Sequence, residues 1–268
     1  MRKPLLSLVA VLGLAACATT PMAPPPPPPP PSSAAPVFIP ANIAAAVSDP
    51  ARPAADMVRD ADRLPGEILA FAGVKSGSKV ADLIPGGGYF TRIFSKAVGP
   101  KGHVYAYVPD ELTKLANREP AVSAIARDPA YKNVTVVLNT LSNFSAPEKL
   151  DLVFTAQNYH DMHDKFMGPA DLGAVNRAIF RSLKPGGVFL VIDHSAEPGS
   201  GLRDTETLHR IDSAVVKSEV TAAGFIFEGE SRALRDPADK RNLGVRDPSI
   251  RGKTDQFVFK FRKPASAR

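Results

Sequence analysis

The stretch "KVADLIPGGGYFTRIFSKAVG", residues 79–99, decides the fold. Residues 80–84 form an apolar run of strand length, Gly86, Gly87 and Gly88 interrupt it, and an amphipathic helical pattern starts near Tyr89. A strand, a glycine turn and a helix in that order bring bare backbone close to a ligand, because glycine lacks the β-carbon that would hold it off. The helix N-terminus behind the turn favours an anionic group. A chain approaches the polar part of a nucleotide-like molecule in this way. Three glycines alone are equally explained by a tight turn with no ligand, so the surrounding pattern has to decide.

That pattern is an alternation. Strands are expected over residues 79–84, 103–107, 134–138, 150–155 and 188–193, with helices over 89–98, 110–127, 169–183 and 203–223. The segments "GFIFEGES" and "TDQFVFKFRKP" add two apolar runs suited to an antiparallel pair at the sheet edge. The expected fold is therefore α/β, a mostly parallel sheet with helices on both faces. One domain over residues 41–268 accounts for the pattern, and no repeat is visible. In open parallel sheets ligands sit beyond the carboxyl ends of the strands, where the strand order reverses. The glycines occupy such an exit.

The chain before this domain has a different character. "MRKPLLSLVAVLGLAAC" has a basic start, an apolar run over residues 5–16 and small residues before Cys17. As helix, a run of about 12 residues reaches only about 18 Å, short of a hydrocarbon core of about 30 Å. Residues 1–16 are thus expected to be a signal peptide and not a membrane span. "LAAC" resembles the bacterial lipoprotein lipobox, which implies cleavage before Cys17 and lipidation there. The expectation is an exported lipoprotein, anchored to the membrane through Cys17 and facing the periplasm from the outer membrane. A plain secretory signal with an incidental cysteine is the simpler alternative. Cys17 is the one cysteine of the chain, which excludes an internal disulfide.

Residues 17–40 include eight consecutive prolines, Pro24 through Pro31. They are expected to form an extended polyproline II spacer of about 25 Å. Of the 33 lysines and arginines, Arg2 and Lys3 belong to the signal segment, and 31 remain against 27 acids. This modest excess, without a long basic run or interleaved aromatics, argues against nucleic acid as a partner.

The wider motif around the glycines carries a resemblance. "VADLIPGGGYF" resembles the first motif of class I S-adenosylmethionine-dependent methyltransferases, with Asp82, Gly86 and Gly88 on its acid and last two glycines. "KLDLVFTAQNYHD" is similar to that family's fourth strand, and "RSLKPGGVFLVIDH" to its fifth. The match runs over roughly residues 64–264, and "NYHD" and "LHRID" resemble segments of a group of bacterial predicted methyltransferases. The resemblance implies a seven-stranded, Rossmann-like sheet and a methyltransferase using S-adenosyl-L-methionine on a small-molecule acceptor. It also implies cofactor contacts from Asp82, Gly86, Gly87, Gly88, Tyr89, Asn139, Gln157 and Asn158. Two departures stand out. Ile84 replaces the motif's first glycine, and Val108 stands where an acid at the end of the second strand would bind the ribose hydroxyls. Losing one charge-assisted hydrogen bond weakens binding by about 1.5–3 kcal/mol. These departures and the export signal support the alternative, a non-catalytic envelope lipoprotein that keeps the fold to bind another ligand or partner.

Histidines gather at the same end of the expected sheet. His160 and His163 follow the fourth strand, His194 the fifth, and His209 lies in the next helix beside Arg210. Three readings stay open. His160 or Asp161 acts as a general base for the acceptor, with His163, His194, His209 and Arg210 binding substrate. Alternatively His160, His163, His194 and neighbouring carboxylates hold a divalent ion, although their spacing matches no strong zinc motif, so no metal ligands are assigned. Or the cluster is structural. The helical segment bearing Arg52, Asp56, Arg59, Asp60 and Arg63 is similarly divided between a solvated face and a cover over the cofactor.

Overall fold

The computed structural model describes residues 37–168 and 170–265. The expected signal peptide, Cys17, the proline run and Pro169 lie outside the described residues. Four short helices come first: α1 (Ala41–Val47), α2 (Ala54–Met57), α3 (Asp60–Arg63) and α4 (Pro65–Ala72). Then follow β1 (Lys79–Leu83), α5 (Tyr89–Val98), β2 (His103–Pro109), α6 (Asp110–Ala116), α7 (Ser123–Arg127), β3 (Val134–Asn139) and β4 (Leu150–Ala156). The chain closes with α8 (Leu172–Ser182), β5 (Leu183–His194), α9 (Thr205–Leu208), α10 (Ser213–Ala222), β6 (Ile226–Ser231) and β7 (Gln256–Arg262).

The seven strands form one sheet in the order β3-β2-β1-β4-β5-β7-β6. β1 to β5 pair in parallel and β7 runs antiparallel to both β5 and β6, as the two apolar tail segments predict. This is the arrangement typical of the class I methyltransferase fold. Alternation along β1 sends Val80 into a core under α1, α4 and α5, and Ala81 and Leu83 into a second core under α8 and α10. Asp82 lies on the same face as Val80, toward α5. Burial on both faces explains why β1, β4 and β5 read as continuous apolar runs.

The helices are more broken than expected. The helix over 110–127 divides at Asn117, which adopts a left-handed φ of 45°, and Pro120 follows before α7 begins. The one over 203–223 divides at His209, at φ 52°. The charged segment after residue 53 splits into α2, α3 and α4; the break between α2 and α3 is unexpected, whereas the one at Leu64 (φ 42°) falls where Pro65 predicts it. β5 starts at Leu183 and absorbs the "KPGG" turn, because Gly186 N donates to Lys263 O (3.0 Å) and Lys263 N to Gly187 O (2.9 Å).

Candidate functional site

The chain runs from β1 outward through β2 and β3, then returns to place β4 on the other side of β1. A crevice at the carboxyl edge between β1 and β4 follows from that reversal. The structure has one there, a cleft of about 200 Å³ lined by Asp82, Ile84, Gly86, Gly87, Tyr89, Gln157 and Asn158, with Arg59 and Arg63 from the N-terminal helices. Six of the expected cofactor-contacting residues therefore face one space.

Its floor is the turn. Ile84 has φ 60°, the left-handed conformation that the motif's glycine would adopt without cost. A β-branched residue there is strained, and the backbone is held by Ile84 N donating to Tyr107 O (2.9 Å). The departure at this position thus leaves the turn's course intact. Gly88 suits its left-handed backbone (φ 79°), and a β-carbon there would also stand 2.1 Å from Ile125 Cδ1 of α7, forcing that side chain to shift. Gly87 is different: a β-carbon there would meet nothing within 4 Å, so its backbone faces open space.

The walls are charged. Asp82 is 3% exposed and accepts a hydrogen bond from Thr91 Oγ1 (2.6 Å); burial raises its carboxyl to about 7 against the pull of Thr91 and Arg63. Arg63 lies over the rings of Tyr89 (4.7 Å) and Phe90 (5.3 Å) and donates from Nη2 to Gln157 Oε1 (2.6 Å). Burial, with Arg59 beside it, brings its guanidinium down to about 10, still protonated at neutral pH. Asp60 accepts from Tyr89 Oη (2.6 Å) and from both Arg52 amino groups (2.7 Å each). The charged segment thus supplies Asp56, Arg59 and Arg63 to the cleft lining, while Arg59 also stays exposed to solvent. Asn158 Nδ2 donates to Ile84 O (3.2 Å), which ties the exits of β1 and β4 together.

The other two expected contacts, Gly88 and Asn139, are not part of the cleft lining. Asn139 accepts from Thr140 N (2.9 Å), donates to Asn143 O (3.4 Å) and faces a separate depression with Ser142 and Glu148. Val108 is buried in the core, and neither Asp110 nor Glu111 reaches the cleft lining, because Pro109 ends β2 and both acids open α6. No side-chain acceptor stands at the ribose position.

Beyond Arg63 and Gln157 a larger cavity of about 630 Å³ opens, lined also by His194, Arg251, Thr254 and Gln256. The last three belong to the end of the β6–β7 connection and the start of β7, a segment with no chemical signature in the sequence. His194 Nδ1 meets Thr254 Oγ1 at 2.8 Å, and burial lowers its imidazole to about 4, so it stays neutral.

His160 sits one layer behind, its ring centroid 6.3 Å from that of His194. Both its nitrogens are engaged: Nδ1 with Asp193 Oδ1 (2.8 Å) and Nε2 with Asp161 Oδ1 (3.1 Å). Burial lowers its pKa, but the charges and hydrogen bonds of Asp193 and Asp161 outweigh burial and raise it to about 10. It lines neither cavity, so the structure does not offer it as a free base facing the cleft. His209 Nδ1 lies 3.7 Å from the same Asp161 oxygen. His163 stands apart, with Nε2 at 3.2 Å from Glu219 Oε2. Arg210 corrects its expected substrate role. It is fully buried, paired with Asp239 (2.8 Å) and donating to Ser195 O and Leu243 O (3.0 Å each), with no group left for a ligand.

No family model matches the chain. It is 29% identical over 133 residues to a protein-L-isoaspartate O-methyltransferase of Ignicoccus hospitalis, covering 49% of this chain and 54% of that protein. It is 30% identical over 198 residues to the ubiquinone/menaquinone biosynthesis C-methyltransferase UbiE of Pseudomonas aeruginosa, covering 72% of this chain and 65% of that protein. The chain thus spans about half the length of the first relative and under two thirds of the second. Among solved structures, a SAM-dependent methyltransferase from Aquifex aeolicus superposes with a TM-score of 0.50 at 20% identity, over 76% of this chain and 89% of that one. The chain has the class I methyltransferase fold and is similar in sequence to the first two of these methyltransferases over part of their length.

Proposed function

We propose that this protein is a methyltransferase that takes S-adenosylmethionine in the cleft between β1 and β4 and a small-molecule acceptor in the adjoining cavity. The observation that carries this reading is the pairing of Asp82 and Arg63 in one cleft beside the open backbone of Gly86 and Gly87. A carboxyl and a guanidinium in one small space suit the ammonium and carboxylate of an amino-acid moiety. When bound, the cofactor supplies an electrophilic methyl group on a sulfonium. Asp82 and Arg63 orient it, Gly87 leaves room for close approach, and Tyr89 holds Arg63 in place through its ring face. His194, Thr254 and Gln256 line the wall where an acceptor would lie, and methyl transfer asks the protein mainly to align the partners. The residues present fit the methionine end, while Val108 offers nothing to the ribose hydroxyls.

Val108 favours a second reading, a module that keeps this fold to bind a different ligand. Calorimetry on the purified full chain separates the two. S-adenosylmethionine or its demethylated product should bind with micromolar Kd, and Gly87→Val should lose binding while the melting temperature holds, because that side chain enters open space and not the core. No heat at millimolar cofactor would sink the methyltransferase reading.

A further inference from the structure

One cluster is not used by the cleft and is poorly balanced as it stands. His160 Nε2, one Asp161 oxygen and His209 Nδ1 all lie within 4.8 Å of one another. Asp164 lies close to this group, 1% exposed, and neither of its carboxylate oxygens has a hydrogen-bond partner among the described residues. Thr205 is beside it, but the Thr205 hydroxyl donates to Leu202 O (3.3 Å). A buried carboxylate without a partner is unfavourable, and burial raises its pKa. With Asp161 and Asp193, three carboxylates surround one buried imidazole, and positive charge is short.

The orientation of His160 is also that of a ligand. Asp193 is fully buried and saturated: Oδ2 accepts from His160 N (2.8 Å), and Oδ1 from His194 N (2.8 Å) and the His160 Nδ1–H (2.8 Å). A carboxylate fixing Nδ1–H turns Nε2 toward Asp161, the arrangement that orients metal-bound histidines. Two ligands each about 2.1 Å from one ion stand about 3–4 Å apart. The His160–Asp161 and His209–Asp161 pairs are already at 3.1 Å and 3.7 Å. The side chains of Asp161 and His209 are 21% and 23% exposed, which gives an ion a way in.

We infer that His160, Asp161 and His209, with Asp164 completing the charge, form a binding site for one divalent transition cation. Two imidazoles and carboxylate oxygens select a first-row ion such as Zn²⁺ over Mg²⁺, which prefers oxygen ligands alone. The site stands independently of what the cleft binds. His160 adjoins His194, which lines the larger cavity, so an ion here would set the charge behind that wall.

The untagged full chain, stripped with chelator and dialysed, should take up one Zn²⁺ per chain by calorimetry, and Co²⁺ should give an absorption spectrum of a nitrogen- and oxygen-ligated ion. Asp161→Asn and His209→Asn should each weaken Zn²⁺ binding at least about tenfold, and Asp193→Asn, through ligand orientation, about 10–100-fold. Asparagine is chosen at His209 because it tolerates the left-handed backbone there. His163→Ala, outside the cluster, should leave binding unchanged. Absence of Zn²⁺ uptake by the wild-type chain, or uptake unaltered in both Asp161→Asn and His209→Asn with folding verified by circular dichroism, overturns the assignment.

Discussion

Asp82 shows how one residue can couple fold and site. Its carboxyl is buried on the α5 face of β1, and Thr91 is its one hydrogen-bond donor among the described residues. Desolvation raises it from an ordinary 3.8 to about 7. The unfolded chain releases this proton near 3.8 and the folded chain near 7, so between those values the folded state holds more protons. Stability from the neutral carboxyl is therefore full below about pH 4 and is lost as pH rises through 7. A shift of about 3 units corresponds to about 4 kcal/mol at most. Asp82→Asn keeps the neutral shape and removes the titration. Denaturant unfolding of the two proteins should show the variant gaining on the wild type between pH 4 and 7, by a few kcal/mol; a constant difference would place the carboxyl in a wetter setting. Residue-scale chemistry of this kind was partly legible. The acid before the glycines pointed to the cleft, whereas Ile84 in the motif gave no sign that it would adopt a glycine's torsion, because nothing local in the sequence encodes strain imposed by flanking strands.

At the scale of elements, strands were easier to read than helices. A strand buried on both faces needs only a run of apolar residues, and β1, β2, β3 and β4 end within two residues of expectation. The helices broke where a side chain had to be aimed. His209 turns left-handed, ends α9 and sends the next residue, Arg210, inward to Asp239 on the long β6–β7 connection. Asp239 also accepts from Asp255 N (2.7 Å) and Arg241 N (2.9 Å), so this ion pair, with those of Arg235 and Arg241 to Asp255, pins the connection that supplies Arg251 and Thr254 to the cavity wall. The partner lies 29 residues away, which no spacing rule could foresee. Arg210→Met should leave Asp239 buried without its cation and cost about 3–5 kcal/mol. The chain has no tryptophan, so unfolding is best followed by circular dichroism, with trypsin cleavage rising in the connection. A loss below about 1 kcal/mol, or an unchanged digestion pattern, would show that the pair is not what holds the wall. Pairing Arg210→Met with Asp239→Asn should recover part of the loss, since it removes the uncompensated charge and keeps an oxygen to accept from one of the two amides.

For the whole molecule, the sheet order decides where a ligand goes. The reversal between β1 and β4 places every charged group of the cleft at one rim, to which the segment of α2 and α3 adds Asp56, Arg59 and Arg63. That layout was legible from the alternation of strands and helices, but this contribution was not, because charges at helical spacing serve solvent and cleft equally well. Among the described residues no helix is long and apolar enough to cross a membrane. We propose that attachment comes from lipid on Cys17 in the lipobox-like "LAAC", with the proline run as a spacer. Stable anchoring takes more than one acyl chain, which lipidation of both the thiol and the new amino group would provide. Cells expressing the full chain with labelled palmitate should yield a labelled protein in the membrane pellet. Cys17→Ser should remove the label and shift the protein out of the pellet, while the cleft's ligand binding stays unchanged, because the anchor lies outside the folded unit that begins at Val37. Retention of Cys17→Ser in the pellet would mean that the protein is held by a surface of the domain itself, and the spacer would then need another explanation.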